Sequence, residues 1–175
     1  MGLRFFKDLS FNLKPTRSTM KIINFSYHVA TRVLKRMQSW MGLSTLGARA
    51  IVLNEKRQVL LVKHTYQPHW YLPGGGVKNG ESTKAAIIRE LHEEVGLIVS
   101  EQDVALFAIY QHSYLGVNDY PVIYIIKNYT SHIAYSREIE QMAWFYYDEL
   151  PEMVSPGTKR RLNEYFANAP IAEKW

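Results

Sequence analysis

The chain contains no cysteine. Disulfide staples, thiolate-bound zinc and a cysteine nucleophile are therefore excluded, while the redox state of the compartment stays open. Long apolar runs are missing too: nowhere do eighteen consecutive apolar residues occur, so a membrane-spanning helix is not expected. The first twenty residues lack an uninterrupted apolar core and a small-residue cleavage site, so a secretory signal is not expected either. No internal repeat or low-complexity tract is present. These absences lead to the expectation of a soluble, cytoplasmic protein.

Acidic residues are scarce at the front of the chain. Within residues 1–40, eight Lys and Arg stand against Asp8 alone, a balance of +7 in a chain of net charge +5, which leaves −2 for the rest. The basic character thus belongs to the N-terminal segment and does not indicate a nucleic-acid groove in the body of the protein. At 175 residues and 47% hydrophobic content, the chain is long enough for one domain with a real core and too short for two large ones. We expect a basic extension over residues 1–42 and a single domain over 43–175.

Within the extension, Ile22, Phe25, Val29, Val33, Met37 and Trp40 recur at spacings of three and four, which predicts an amphipathic helix over residues 22–41. Its Lys21, Arg32, Lys35 and Arg36 suit an anionic membrane surface, and the acid-poor composition also resembles that of organelle transit segments. Packing on the protein's own domain or in a homodimer contact is the plainer expectation.

The body of the chain is organised around residues 75–97. Gly75 is followed after five residues by Glu81, and after seven more by Arg89, Glu90 and Leu91. One free position precedes Glu93 and Glu94, and one more precedes Gly96 and Leu97. Gly96 is a helix stop, and Ser82 or Glu81 a start, so the spacing predicts a helix over 83–95. At 100° per residue, Ile88, Leu91 and Val95 share one side, and Glu90, Glu93 and Glu94 fall within about 100° of arc on the other.

Three carboxylates at i, i+3 and i+4 repel one another, and in the last helical turn the dipole adds to the penalty. A hard divalent cation held by oxygen ligands would remove that repulsion. Ala86, one turn before Glu90, would leave room for a bulky phosphate, and the run Gly74, Gly75, Gly76 would allow close backbone approach and unusual φ values.

This arrangement resembles the complete signature of the Nudix box, and the chain is similar to the Nudix hydrolases. Seven fixed residue types would meet at these spacings about once in 10⁸ starting positions at average composition. The resemblance implies an α/β/α sandwich with a mixed β-sheet. It also implies hydrolysis of a phosphoanhydride in a nucleoside diphosphate linked to another moiety X, such as a nucleoside triphosphate, a dinucleotide or a nucleotide sugar. On the same ground Glu90, Glu93 and Glu94, with the backbone carbonyl of Gly75, are expected to hold Mg²⁺ or Mn²⁺. Arg89 would orient the glutamates and Glu81 would hold that arrangement. The general base is expected among Glu93, Glu138 and Glu140, in that order.

Around the box, residues 47–53 and 58–63 read as strands of a hairpin joined by Asn54, Glu55, Lys56 and Arg57. Residues 104–113, 122–129 and 139–147 read as further strands, and 156–167 as a closing helix with Pro156 in its first turn. By periodicity alone this is an α plus β pattern. Gly74, Trp70 and Tyr114 are candidate substrate contacts, with His69, Tyr71 and His112 near them; buried packing is the plainer role for Trp70.

The sequence narrows the substrate only in part. The segment Trp70, Tyr71, Leu72, Pro73, Gly74, Gly75 departs at both glutamines from the motif of bacterial RNA pyrophosphohydrolases. A Nudix-fold module that binds nucleotides without hydrolysis, recruited by its basic helix, is the alternative reading. The intact set of box glutamates favours an enzyme.

Overall fold

The computed structural model describes residues 44–114, 116–132, 136 and 138–175. The basic extension and its expected amphipathic helix lie outside these residues.

The described chain runs β1 (Thr45–Val52), β2 (Val59–His64), β3 (Trp70–Tyr71), β4 (Gly74–Gly76), α1 (Thr83–Val95) and β5 (Leu97–Ile98). It continues through β6 (Ala105–Ile109), β7 (His112–Tyr114), β8 (Val117–Ile126), β9 (Thr130–Ser131), β10 (Ile139–Phe145) and α2 (Pro156–Phe166). The main sheet has the order β4-β1-β8-β6, with β7 also on β8; a second carries β10-β2-β3, and β5 pairs with β9. β1 is parallel to β8 and antiparallel to β4, so the main sheet is mixed.

β1 supplies the core on both faces, because side chains alternate along a strand. Ala48, Ala50 and Val52 join Ile87, Leu91 and Val95 of α1, while Ile51 joins Leu162 of α2 on the opposite side. The result is an α/β/α sandwich with a mixed sheet between two helices. At about 1.5–3 kcal/mol per fully buried aliphatic side chain, these two faces are the main attachment of each helix.

Both helices begin as their sequences dictate. The Ser82 hydroxyl accepts the Ala85 N–H at 3.0 Å, and the Ser155 hydroxyl accepts that of Thr158 at 3.1 Å, each satisfying an otherwise unpaired first-turn donor. Gly96 ends α1 at φ 68°, and its N–H bonds the Leu91 carbonyl. Between Thr83 and Tyr124, the two hydroxyl oxygens lie 2.6 Å apart, fixing the first turn of α1 to β8.

Three expectations are corrected. Residues 54–57 do form a tight turn, with Asn54 N–H to Gln58 carbonyl and Arg57 N–H to Asn54 carbonyl, but the strands it joins part at once. Beyond the Leu53–Val59 bridge, β1 goes to the main sheet and β2 to the second, so the expected hairpin is a corner between sheets. The strand expected over 104–113 is two strands, β6 and β7, separated by the buried Tyr110. β8 starts at Val117, five residues ahead of the strand expected over 122–129, and takes in Asn118, Asp119 and Pro121, residue types that favour turns. Pairing to β1 and β7 on its two sides overrides those local preferences.

The C-terminal residues are tied down by a buried cluster. Arg161 is fully buried, its guanidinium carbon 3.9 Å from the centroid of Tyr110 and 5.2 Å from that of Trp175. It donates to Glu164 at 2.7 Å, and Glu164 also accepts the Tyr110 hydroxyl at 2.6 Å. Burial, followed by the bond to the Glu164 carboxylate, pushes the Tyr110 hydroxyl well above the usual phenol range.

Candidate active site on helix α1

The acidic side of α1 is turned towards the sheet more than a simple amphipathic pattern implies. The buried residues of α1 are Ala86, Ile87, Leu91, Glu94 and Val95, so Glu94 lies within the buried arc and Ile88 at its margin. The reason is β4. It consists of Gly74, Gly75 and Gly76, and a strand without side chains lets the helix rotate its carboxylates in against the backbone.

Two of these glycines are required for different reasons. Gly74 has φ 130°, a region that L side chains rarely adopt, and a Cβ there would strike the Ala48 carbonyl. Gly75 has no positive φ, but a Cβ on it would collide with the Glu90 carboxylate. Gly76 has open space around it, so the expected unusual φ belongs to Gly74 alone of the three. Ala86 is also corrected: it is fully buried in the core beneath α1 and leaves no open room for a phosphate.

Arg89 binds the acidic cluster together. Its Nε donates to Glu81 at 2.8 Å; Nη1 donates to Glu90 at 2.7 Å and Glu93 at 3.3 Å; Nη2 donates to Glu81 at 2.9 Å and the Gly76 carbonyl at 3.1 Å. A guanidinium has five N–H groups, and all five are used. These bonds push the Arg89 guanidinium further into its charged form, Glu81 first among them. In return the hydrogen bond from Arg89, helped by the Lys78 backbone N–H, lowers Glu81 to about 2.

Glu94 is in the opposite condition. It is 9% exposed, and its Oε2 accepts the Gly74 backbone N–H at 2.9 Å. Burial pushes its carboxyl up to about 7, against the Gly74 bond and the charge of Arg49, with Glu90 and Glu138 adding repulsion. Glu93 is the open member of the set, with its side chain 53% exposed.

The donor chemistry fits a hard divalent cation. One buried carboxylate, Glu94, has no ion pair among the described residues, one exposed carboxylate, Glu93, has an oxygen free of Arg89, and Glu90 lies between them. Among the described residues the carboxylates do not already converge as a three-acid cage. Glu90 and Glu93 are turned to Arg89 instead, and rotation about their own side-chain torsions is what convergence needs.

The remaining candidates divide by location. Glu138 lies near enough for its charge to raise Glu94, whereas Glu140 is paired with Lys63 at 3.5 Å. The ring of Trp70 packs edge-on against Phe145 at 5.2 Å, in the core on the α2 side, and its backbone bonds Met153 and Ser155. The Tyr71 ring instead lies tilted against His64 at 5.9 Å and edge-on to His69 at 6.2 Å between centroids. Tyr114 pairs with Val117, and His112 with Asp119, along β7.

Two residues beside the cluster escaped the sequence reading. His64, at the end of β2, is lowered to about 4 by burial and then by the charge of Arg49, and its buried Nδ1 has no hydrogen-bond partner among the described residues. Arg49 stands on β1 directly opposite Gly74. A single charged residue in the otherwise uncharged run 45–53 was the available signal.

A carboxylate-rich helix under a glycine strand, on the face of an α/β/α sandwich, defines a Nudix-type domain. The family model described as NUDIX domain matches residues 43–166, and the chain belongs to that family as a Nudix hydrolase. A putative 8-oxo-dGTP diphosphatase of Bacillus subtilis is 35% identical over 121 residues, covering 69% of this chain and 79% of the relative. An RNA pyrophosphohydrolase of Haemophilus influenzae is 44% identical over 62 residues, covering 35% of this chain and 31% of the relative.

Solved structures agree on the fold. The MutT NUDIX hydrolase from Burkholderia pseudomallei superposes with TM-score 0.61 at 24% identity, covering 69% of this chain and 96% of that one. The NUDIX hydrolase from Nitrosomonas europaea gives 0.62 at 22% identity, covering 71% and 90%. No described helix is long and apolar enough to cross a membrane.

Proposed function

We propose that this protein is a metal-dependent pyrophosphohydrolase that cleaves a phosphoanhydride bond in a nucleoside diphosphate derivative, with nucleoside triphosphates as its first substrate class. The observation that carries this reading is the acidic set on α1: Glu94 buried without an ion pair among the described residues and held by the Gly74 N–H, with Glu90 and Glu93 ordered by one saturated arginine. The substrate class is supported by the coverage of the putative 8-oxo-dGTP diphosphatase, which runs along most of that relative. The RNA pyrophosphohydrolase similarity is confined to about a third of those proteins, and the glutamines of their motif are absent here.

Glu90, Glu93, Glu94 and the Gly75 carbonyl would hold Mg²⁺ or Mn²⁺. When bound, the ion neutralises phosphate charge and lowers the pKa of an attacking water. The chain's own residues do the rest. Arg89 fixes Glu90 and Glu93 through Nη1, and Glu81 fixes Arg89 from the other side. The Gly74 N–H holds Glu94 in place.

Water oxygen forms a bond to phosphorus, the bridging P–O bond breaks, and the water proton passes to a carboxylate. Glu93 suits that role by its exposure and spare oxygen, with Glu138 next; Glu140 is occupied by Lys63. Little covalent chemistry is asked of the protein, so positioning and charge dominate.

The test is product analysis on nucleoside triphosphates including 8-oxo-dGTP, ADP-ribose, nucleotide sugars and dinucleoside polyphosphates, with and without Mg²⁺ or Mn²⁺. Strong metal-dependent turnover of a triphosphate to monophosphate and pyrophosphate is expected. Absence of metal-dependent turnover across the whole panel would overturn the reading.

A further inference from the structure

The cations of the site are not equally available to a substrate. Arg89 has committed all five of its N–H donors to Glu81, Glu90, Glu93 and Gly76. Lys63 is paired with Glu140 at 3.5 Å. An anhydride substrate carries charge on phosphoryl oxygens beyond those a metal on α1 can reach, and that charge needs donors of its own.

Arg49 has them. Among the described residues its half-buried guanidinium makes one hydrogen bond, from Nη1 to the carbonyl of the neighbouring Ala48 at 3.2 Å, and forms no ion pair. Four of its five N–H groups are therefore uncommitted to described residues. Its place is fixed by the ladder: Arg49 faces Gly74, whose own N–H holds Glu94. Its charge acts on Glu94 from α1 and on His64 from β2, so the head group lies within electrostatic reach of both. An arginine costs a strand core much more than an aliphatic residue unless something anionic meets it.

We propose that Arg49 is a substrate-binding residue whose guanidinium contacts the phosphoryl oxygens of the anhydride held at α1. This rests on the pyrophosphohydrolase reading for the substrate's chemistry. It divides the work of the two arginines: Arg89 organises carboxylates, and Arg49 meets phosphate.

The experiment uses imidodiphosphate, a P–N–P mimic that carries the phosphates without a base, titrated calorimetrically with Mg²⁺ into the full chain. Arg49→Met is expected to weaken its binding by about tenfold to a hundredfold, the loss of charge-assisted bonds, and Arg49→Lys by less. Mn²⁺ alone should bind Arg49→Met at least as tightly as wild type, because a positive charge beside the carboxylates has gone. A purely structural role would weaken both ligands together.

Equal imidodiphosphate affinity in wild type and in either folded variant would overturn the proposal, and so would a wild type that does not bind the mimic. A wild type that binds it through Arg49 but turns over none of the nucleotide panel would remove the hydrolase reading and leave the Arg49 contact standing.

Discussion

The backbone N–H of Gly74 donates to the buried carboxylate of Glu94 across 2.9 Å, joining the edge strand of the main sheet to the last turn of α1. Gly74 holds φ 130° to present that N–H, and Glu94 is buried to receive it. Helix α1 is thus registered on the sheet by a contact that only glycine allows.

Glu94→Gln should keep this bond, since the amide oxygen accepts as the carboxylate did, and lose the charge. We expect metal-dependent turnover to fall by about a hundredfold or more, with a melting temperature no lower than wild type. A variant with undiminished activity would remove Glu94 from the metal ligands.

Gly75→Ala and Gly76→Ala form a matched pair. The first places a Cβ into the Glu90 carboxylate and should cost about 1–3 kcal/mol in urea unfolding together with most of the activity; the second meets nothing and should be silent. Equal behaviour of the two would show that the close approach of Glu90 to β4 is dispensable.

Arg89→Met should change the acid limb of the stability curve. Glu81, lowered from 4.5 to about 2 chiefly by its bond to Arg89, contributes stability that is present above pH 4.5 and is lost as pH falls towards 2. The variant should show a shallower decline over that window in denaturant titrations. Arg89→Lys should recover only part of it, because an ammonium cannot reproduce the five-donor fork.

His64 acts in a higher window. Its folded pKa of about 4, against 6.5 for the free side chain, means the unfolded chain binds the proton more tightly. Stability should be full above pH 6.5 and decline as pH falls from 6.5 to 4. His64→Phe, which also removes the unpartnered Nδ1, should flatten that segment; an unchanged slope would assign it to another group.

Trp175→Ala should destabilise the fold by about 2–4 kcal/mol, the cost of a large aromatic in a packed site with a stacked cation. Trp175 lies over Arg161 and fills the space that Gly157 leaves open. Its removal should leave turnover per folded molecule unchanged, measured in an assay run well below the melting transition of the variant and normalised to its folded fraction.

The limits of α1, its Ser82 cap, its Gly96 stop and the grouping of Glu90, Glu93 and Glu94 were all legible in the sequence, because each depends on neighbours within a turn or two. The same holds for α2, and for the positions of β1, β2 and β10 to within about two residues, the usual scatter of element boundaries. Spacing along the chain fixes such features.

What the sequence could not decide were the relationships between segments far apart in it. The rotation of α1 that buries Glu94 follows from β4 having no side chains to hold the helix off. The parting of β1 and β2 into different sheets follows from their pairing with β8 and β10, long after the turn between them. Arg49 has its place only because β1 runs opposite Gly74. Local chemistry determined which groups the protein has; the packing of a bare glycine strand against one helix decided which of them stand together, and in what charge state.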